Sequence, residues 1–124
     1  MGLKSLDGIR NKKNKGELIM IKVTYYIGTN DKDTYEKELL DRDFYKVFDE
    51  LFSEYSLQKA QGVYTMRSSG TVVKEDTFII TTFIEVHSVE TLKQHIQHNC
   101  SILKDKLNQE SVLVEICNPE IMFL

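Results

Sequence analysis

Two carboxylates at one site can divide acid and base duties, provided burial pushes the pKa of one of them up. In this chain Glu75 and Glu110 are the pair placed to do so. Glu110 belongs to Asn108-Gln109-Glu110-Ser111, four polar residues between a helix end and an apolar strand. Gln61, Tyr64, Glu75 and Asp76 fall on a hairpin that can share a sheet with that strand. The polar cluster candidate is therefore Gln61, Tyr64, Glu75, Gln109 and Glu110. The plainer reading of residues 108–111 is a helix stop followed by a strand start. Nothing in the spacing alone makes two carboxylates meet, so no catalytic residue is assigned and a non-enzymatic role is favoured.

The three histidines are His87, His95 and His98. His95 and His98 are three apart on one helix face, a spacing that can hold a metal ion. Glu85 and Glu90 are the nearest further ligands, but the histidines fall on the polar side of that helix, and solvation is the expectation. No metal or other cofactor is expected. Cys100 and Cys117 have neither metal-ligand spacing nor a signal peptide upstream, and read as reduced core thiols of a cytoplasmic protein. No phosphate-cradling glycine loop, nucleophile elbow or Cys-x-x-Cys motif occurs.

These side chains need elements to hold them. Ile19 to Ile27 reads as a first strand, with Ile21, Val23, Tyr25 and Ile27 on one face and Gly28-Thr29-Asn30-Asp31 stopping it. Asp33 and Glu36 resemble a capping box for a helix that runs to about Tyr55, with Tyr35 to Asp41 open to being a loop or a separate turn. Its apolar stripe is Leu40, Phe44, Val47, Phe48, Leu51 and Tyr55. Leu57 to Arg67 predicts a second strand, in which Gly62 suggests a bulge or a close backbone approach. Ser68-Ser69-Gly70 turns the chain into Thr71 to Val86, the strongest strand signal present. Ser88 is a natural cap for a second helix that ends at Asn108. Its stripe is Val89, Leu92, Ile96, Cys100, Leu103 and Leu107. Val112 to Cys117 is the last strand, closed by Asn118-Pro119.

The order βαββαβ predicts an α+β, ferredoxin-like two-layer sandwich, a four-stranded antiparallel sheet with both helices on one face and strand order 4-1-3-2. The other sheet face is free for binding or pairing, and Tyr26, Tyr64 and Thr24 are expected there. Tyr26 with the apolar tail residues Ile121 and Phe123 forms the interface candidate, including for a homodimer.

At 124 residues, the length is that of one domain. Residues 1–19 carry five basic and two acidic groups, net +3; the whole chain carries −3, so residues 20–124 carry −6. An acidic body disfavours direct nucleic-acid binding. The basic leader, residues 1–19, reads as a solvated tail. Lys15-Gly16-Glu17 can also be encoded as a ribosome-binding sequence, which makes Met20 a candidate start. No apolar run is long enough to span a membrane.

Ala60-Gln61-Gly62, Val73-Lys74-Glu75 and Asn108-Gln109-Glu110-Ser111-Val112-Leu113 resemble segments of a group of small ferredoxin-like proteins of bacteria, plasmids and phages. The resemblance covers about the last two-thirds of the chain. It implies the fold and transfers no catalytic residue, since no activity is established for the group. The leading functional expectation is a small acidic protein-interaction module of a mobile element, one that binds and inhibits a host nucleic-acid-handling defence factor in the manner of an anti-CRISPR protein. Its alternatives are a small-molecule enzyme or sensor of the dimeric α/β-barrel type, with a pocket between sheet and helices, and a structural homodimer.

Overall fold

A computed structural model describes residues 18–124. Its elements are β1 (Ile19–Gly28), α1 (Asp41–Leu51), β2 (Ser56–Thr65), β3 (Val72–Val86), α2 (Val89–Lys106) and β4 (Leu113–Cys117). The four strands make one antiparallel sheet in the order β2-β3-β1-β4, with the two most apolar strands in the centre. The fold is the ferredoxin-like α+β sandwich. Most of the basic leader lies outside the described residues; Ile19, at its end, opens β1, pairs with Val86 and is buried.

Period-two burial along β1 sends Ile19, Ile21, Val23, Tyr25 and Ile27 to the helix side of the sheet. Their partners on β3 include Ile80 and Phe78, and α1 covers them with Phe44, Val47 and Phe48. From α2 come Leu92, Ile96 and Leu103. Asn99 interrupts that apolar stripe yet is buried, because its Nδ2 donates to the Tyr25 hydroxyl at 3.0 Å and lies 3.2 Å from His95 Nε2. Cys100, expected on the stripe, is only half-buried beside it, and Cys117, expected in the core, is exposed because its register opposite Lys22 turns it to the open face of the sheet. Burial raises the Tyr25 pKa to about 12, so the ring stays a neutral phenol. Removing its hydroxyl by Tyr25→Phe takes away one of the two partners of the buried Asn99 amide nitrogen. The expected cost is about 1–3 kcal/mol of stability, read from the urea unfolding midpoint.

The first helix is shorter than its pattern at both ends. Asp33 caps nothing; Asp31 Oδ2 instead accepts the N–H groups of Asp33 and Thr34 in a local turn, and the helix waits until Asp41. There Asp43 accepts the Leu40 N–H, and Asp41 is held by Lys37 and Lys59. At the other end Phe52 is extended, so Tyr55 lies outside the helix. Tyr55 still packs on Phe48 and Phe52 and donates to Asp49, which explains why its spacing looked helical. Gly62 makes no bulge: the β2–β3 register runs through it unbroken, opposite Glu75. A close approach does occur, with Thr77 Oγ1 3.0 Å from where a Cβ would sit. Ser88 caps α2 by accepting the Thr91 N–H, and Asn108 ends it in the left-handed region at φ 48°. Residues 121–124 form no strand.

Candidate functional site

Pairing between β1 and β3 stops at Gly28 and Thr77, while β2 and β3 continue together to Thr65 and Val72. The extra length is a two-stranded ribbon overhanging the end of β1. Its turn is closed by Gly70, at φ 70°, as Ser68-Ser69-Gly70 predicts. Register places Tyr26, Tyr64, Glu75, Thr77 and Leu113 on the sheet face away from the helices. The ribbon is one wall of a cleft on that face. The segment before β4 is the opposite wall, and the loop after β1 closes the end. The cleft holds about 600 Å³, within the range of small-molecule sites.

Four of the five polar cluster candidates line it: Tyr64, Glu75, Gln109 and Glu110. Gln61 does not, because it pairs with Asp76 and so points to the other face of the sheet. The pocket is therefore on the open face, not between sheet and helices as the small-molecule alternative supposed. Of the interface candidates, Tyr26 lines the cleft and donates its hydroxyl to Glu115 at 2.9 Å, which raises its pKa. Ile121 and Phe123 follow β4 and line none of it; Phe123 is highly exposed.

The walls are built from a few directional bonds. Gln109 is 7% exposed, and its Nε2 donates to the carbonyls of Asn30 and Leu107. Asn108 Nδ2 reaches Asp31 Oδ1 at 2.7 Å and Asp33 Oδ2 at 2.9 Å, and its carbonyl accepts the Lys32 N–H. That amide keeps the Asp31 carboxyl below its ordinary pKa. Thr29 is pinned to the Asp76 carbonyl through both its N–H and its hydroxyl. Glu75 Oε2 accepts the Asn30 N–H at 3.0 Å. Its other oxygen lies 2.1 Å from where a Cβ on Gly28 would stand, so the carboxylate occupies space that only glycine leaves.

The lining holds three carboxylates (Asp31, Glu75 and Glu110) against one ammonium, Lys32, a net charge of −2. Tyr26, Tyr35 and Tyr64 add aromatic faces. Carboxylates beside tyrosine rings suit a cation with a flat aromatic portion, since a cation gains from both the charge and the ring quadrupole. The loop residues Asn30, Asp31, Lys32 and Tyr35 did not register in the sequence as site residues. Their only signal was the run Gly28-Thr29-Asn30-Asp31, which reads equally well as a strand stop. Among the described residues, no three His, Cys, Asp or Glu side chains converge as metal ligands. No helix among them is long and apolar enough to cross a membrane.

No protein-family model matches the chain, and no curated protein matches it. Among solved structures it resembles a phage SAM lyase in complex with S-methyl-5′-thioadenosine. The TM-score is 0.61 and the identity 22%, over 87% of this chain and 88% of that one. A phage SAM lyase in the apo state aligns with a TM-score of 0.57 and 22% identity, over 85% and 84%. CutA from Synechococcus elongatus follows at 0.52 and 12%, over 84% and 83%. These likenesses establish the shared fold. They also correct the leading functional expectation: the solved structures the chain resembles include an enzyme, a lyase holding S-methyl-5′-thioadenosine. The small-molecule alternative is the better supported reading.

Proposed function

We propose that this chain binds S-adenosylmethionine in the open-face cleft and cleaves it as a lyase, releasing S-methyl-5′-thioadenosine. The observation that carries the reading is the cleft itself, which sets Glu75, Glu110 and Asp31 among three tyrosine rings where the β2–β3 ribbon overhangs the end of β1. A sulfonium and an α-ammonium are the two cations of such a ligand, and a site of net charge −2 attracts both. Adenine is a flat ring system that can stack on a tyrosine face. The likeness of fold to a lyase that holds S-methyl-5′-thioadenosine supports the same substrate class.

In the reaction the bond between sulfur and the amino-acid side-chain carbon breaks. Its electron pair goes to sulfur, and the sulfonium becomes a neutral thioether. Either a carboxylate of the cleft takes a proton from the adjacent carbon as sulfur leaves, giving an alkene, or the substrate's own carboxylate oxygen displaces sulfur at that carbon and closes a lactone; neither route consumes water. The residues of the cleft hold the cation, orient the chain that leaves and exclude solvent from the breaking bond. Incubating the purified chain with S-adenosylmethionine and separating the products tests the reading. Enzyme-dependent S-methyl-5′-thioadenosine is expected, and its absence, together with no binding of that thioether, sinks the proposal.

Gly28→Ala probes the geometry. The new methyl group takes the place of a Glu75 oxygen, so the flexible carboxylate must swing away while the backbone stays put. A displacement of about 1 Å at such a group costs on the order of 10²-fold in rate. The expected result is a loss of that size in kcat/KM with little change in melting temperature.

A further inference from the structure

We infer that Lys32 anchors the α-carboxylate of the ligand, so that the cleft recognises the amino-acid end as well as the nucleoside. The inference deepens the proposed function and rests on it. Lys32 is the one basic residue of the cleft lining, set among Asp31, Glu75 and Glu110. A ligand that brings two cations and one carboxylate needs a single positive group, at the end away from the ring.

Lys32 stands where such an end must lie. It borders the open-face cleft and also a second one, of about 570 Å³, against the C-terminal half of α2. The two clefts meet over Lys32, Tyr35, Gln109 and Glu110, so a chain leaving the first passes this lysine. Its backbone is fixed by the N–H it donates to Asn108 at 3.0 Å, and Asn108 in turn clamps the residues on either side, Asp31 and Asp33. The ion pairs among the described residues use Lys37 and Lys59, which leaves the Lys32 ammonium available to an incoming anion. Lys104 lines only the second cleft and serves as a control for long-range charge.

Calorimetric titration of the full chain with two stable thioethers tests the assignment. S-adenosylhomocysteine carries the α-carboxylate; S-methyl-5′-thioadenosine lacks it. Lys32→Met is expected to weaken S-adenosylhomocysteine by about 10-fold or more, the loss of one charge-assisted contact, and to leave S-methyl-5′-thioadenosine unchanged. Lys32→Arg restores most of the loss, and Lys104→Met changes neither ligand. Equal weakening of both thioethers by Lys32→Met, no effect on either, or the same selective loss in Lys104→Met overturns the role of Lys32 while the proposed function stands. Failure of the unaltered chain to bind either thioether overturns both.

Discussion

Glu75→Gln is expected to lower kcat/KM for S-adenosylmethionine by roughly 10- to 100-fold, the equivalent of losing one contact to a charged group at about 1.5–3 kcal/mol. Gln keeps the length and planarity of Glu, and its carbonyl oxygen can still accept the Asn30 N–H that Glu75 accepts now. The change therefore removes a charge and leaves the wall standing. The net charge of the cleft falls from −2 to −1, and the carboxylate lost is the one the fold has fixed against Gly28. The ligand dependence separates this role from a structural one. A sulfonium loses its counter-charge, whereas the neutral sulfur of S-adenosylhomocysteine does not, so affinity for the latter should hold. A fall in melting temperature, or equal weakening of both ligands, would mean that Glu75 only supports the loop. Aligning this variant with Lys32→Met gives two independent selectivities, one for the positive sulfur and one for the negative carboxylate.

The sequence was most legible where one side of an element is buried. β1 alternates from Ile19 to Ile27 except at Thr24, which is buried on the outward face, and each inward residue belongs to the core, so the strand follows from its period. α1 was less legible, since Tyr55 continues the 3.6-residue spacing from an extended segment, held there by ring packing and a bond to Asp49. Asn99 was hidden because its polarity argued for solvent; its partner, Tyr25, lies 74 residues away in sequence. The site divides the same way. Tyr64, Glu75, Gln109 and Glu110 were legible as polar residues near strand ends, and the cleft gathers all four. Gln61 failed by one residue of register, which in a strand means the opposite face. The loop from Asn30 to Tyr35 is positioned by long-range bonds to Gln109, Asn108 and Glu75, and no local pattern announces such bonds.

Phe78→Ala is expected to be the most destabilising single truncation, at about 3–5 kcal/mol. Phe78 has no solvent exposure and sits where the central strand meets α1. Its ring lies 5.2 Å from Phe44, 5.5 Å from Tyr45 and 5.6 Å from Phe48, so the cavity left behind would open three aromatic contacts at once. Lys59 also lays its ammonium over that ring while bridging to Asp41 and Asp76, which ties β2 to the start of α1. For a domain of this size the loss corresponds to a fall in Tm on the order of 15 °C, against a total stability of about 5–15 kcal/mol. The consequence reaches the cleft by geometry. Phe78 pairs with Ile27 and Lys59, and its neighbour Thr77 is the last β3 residue that β1 holds before the ribbon bearing Glu75 begins. Loosening that junction frees the ribbon from the β1 end. Phe78→Ala should thus lower ligand affinity even at temperatures where it remains folded, while Phe78→Leu, which refills most of the volume, should recover both. Calorimetric melting with thioether titration on the two variants checks the coupling; unchanged affinity in the folded Ala variant would show that the cleft is held by its loop bonds alone.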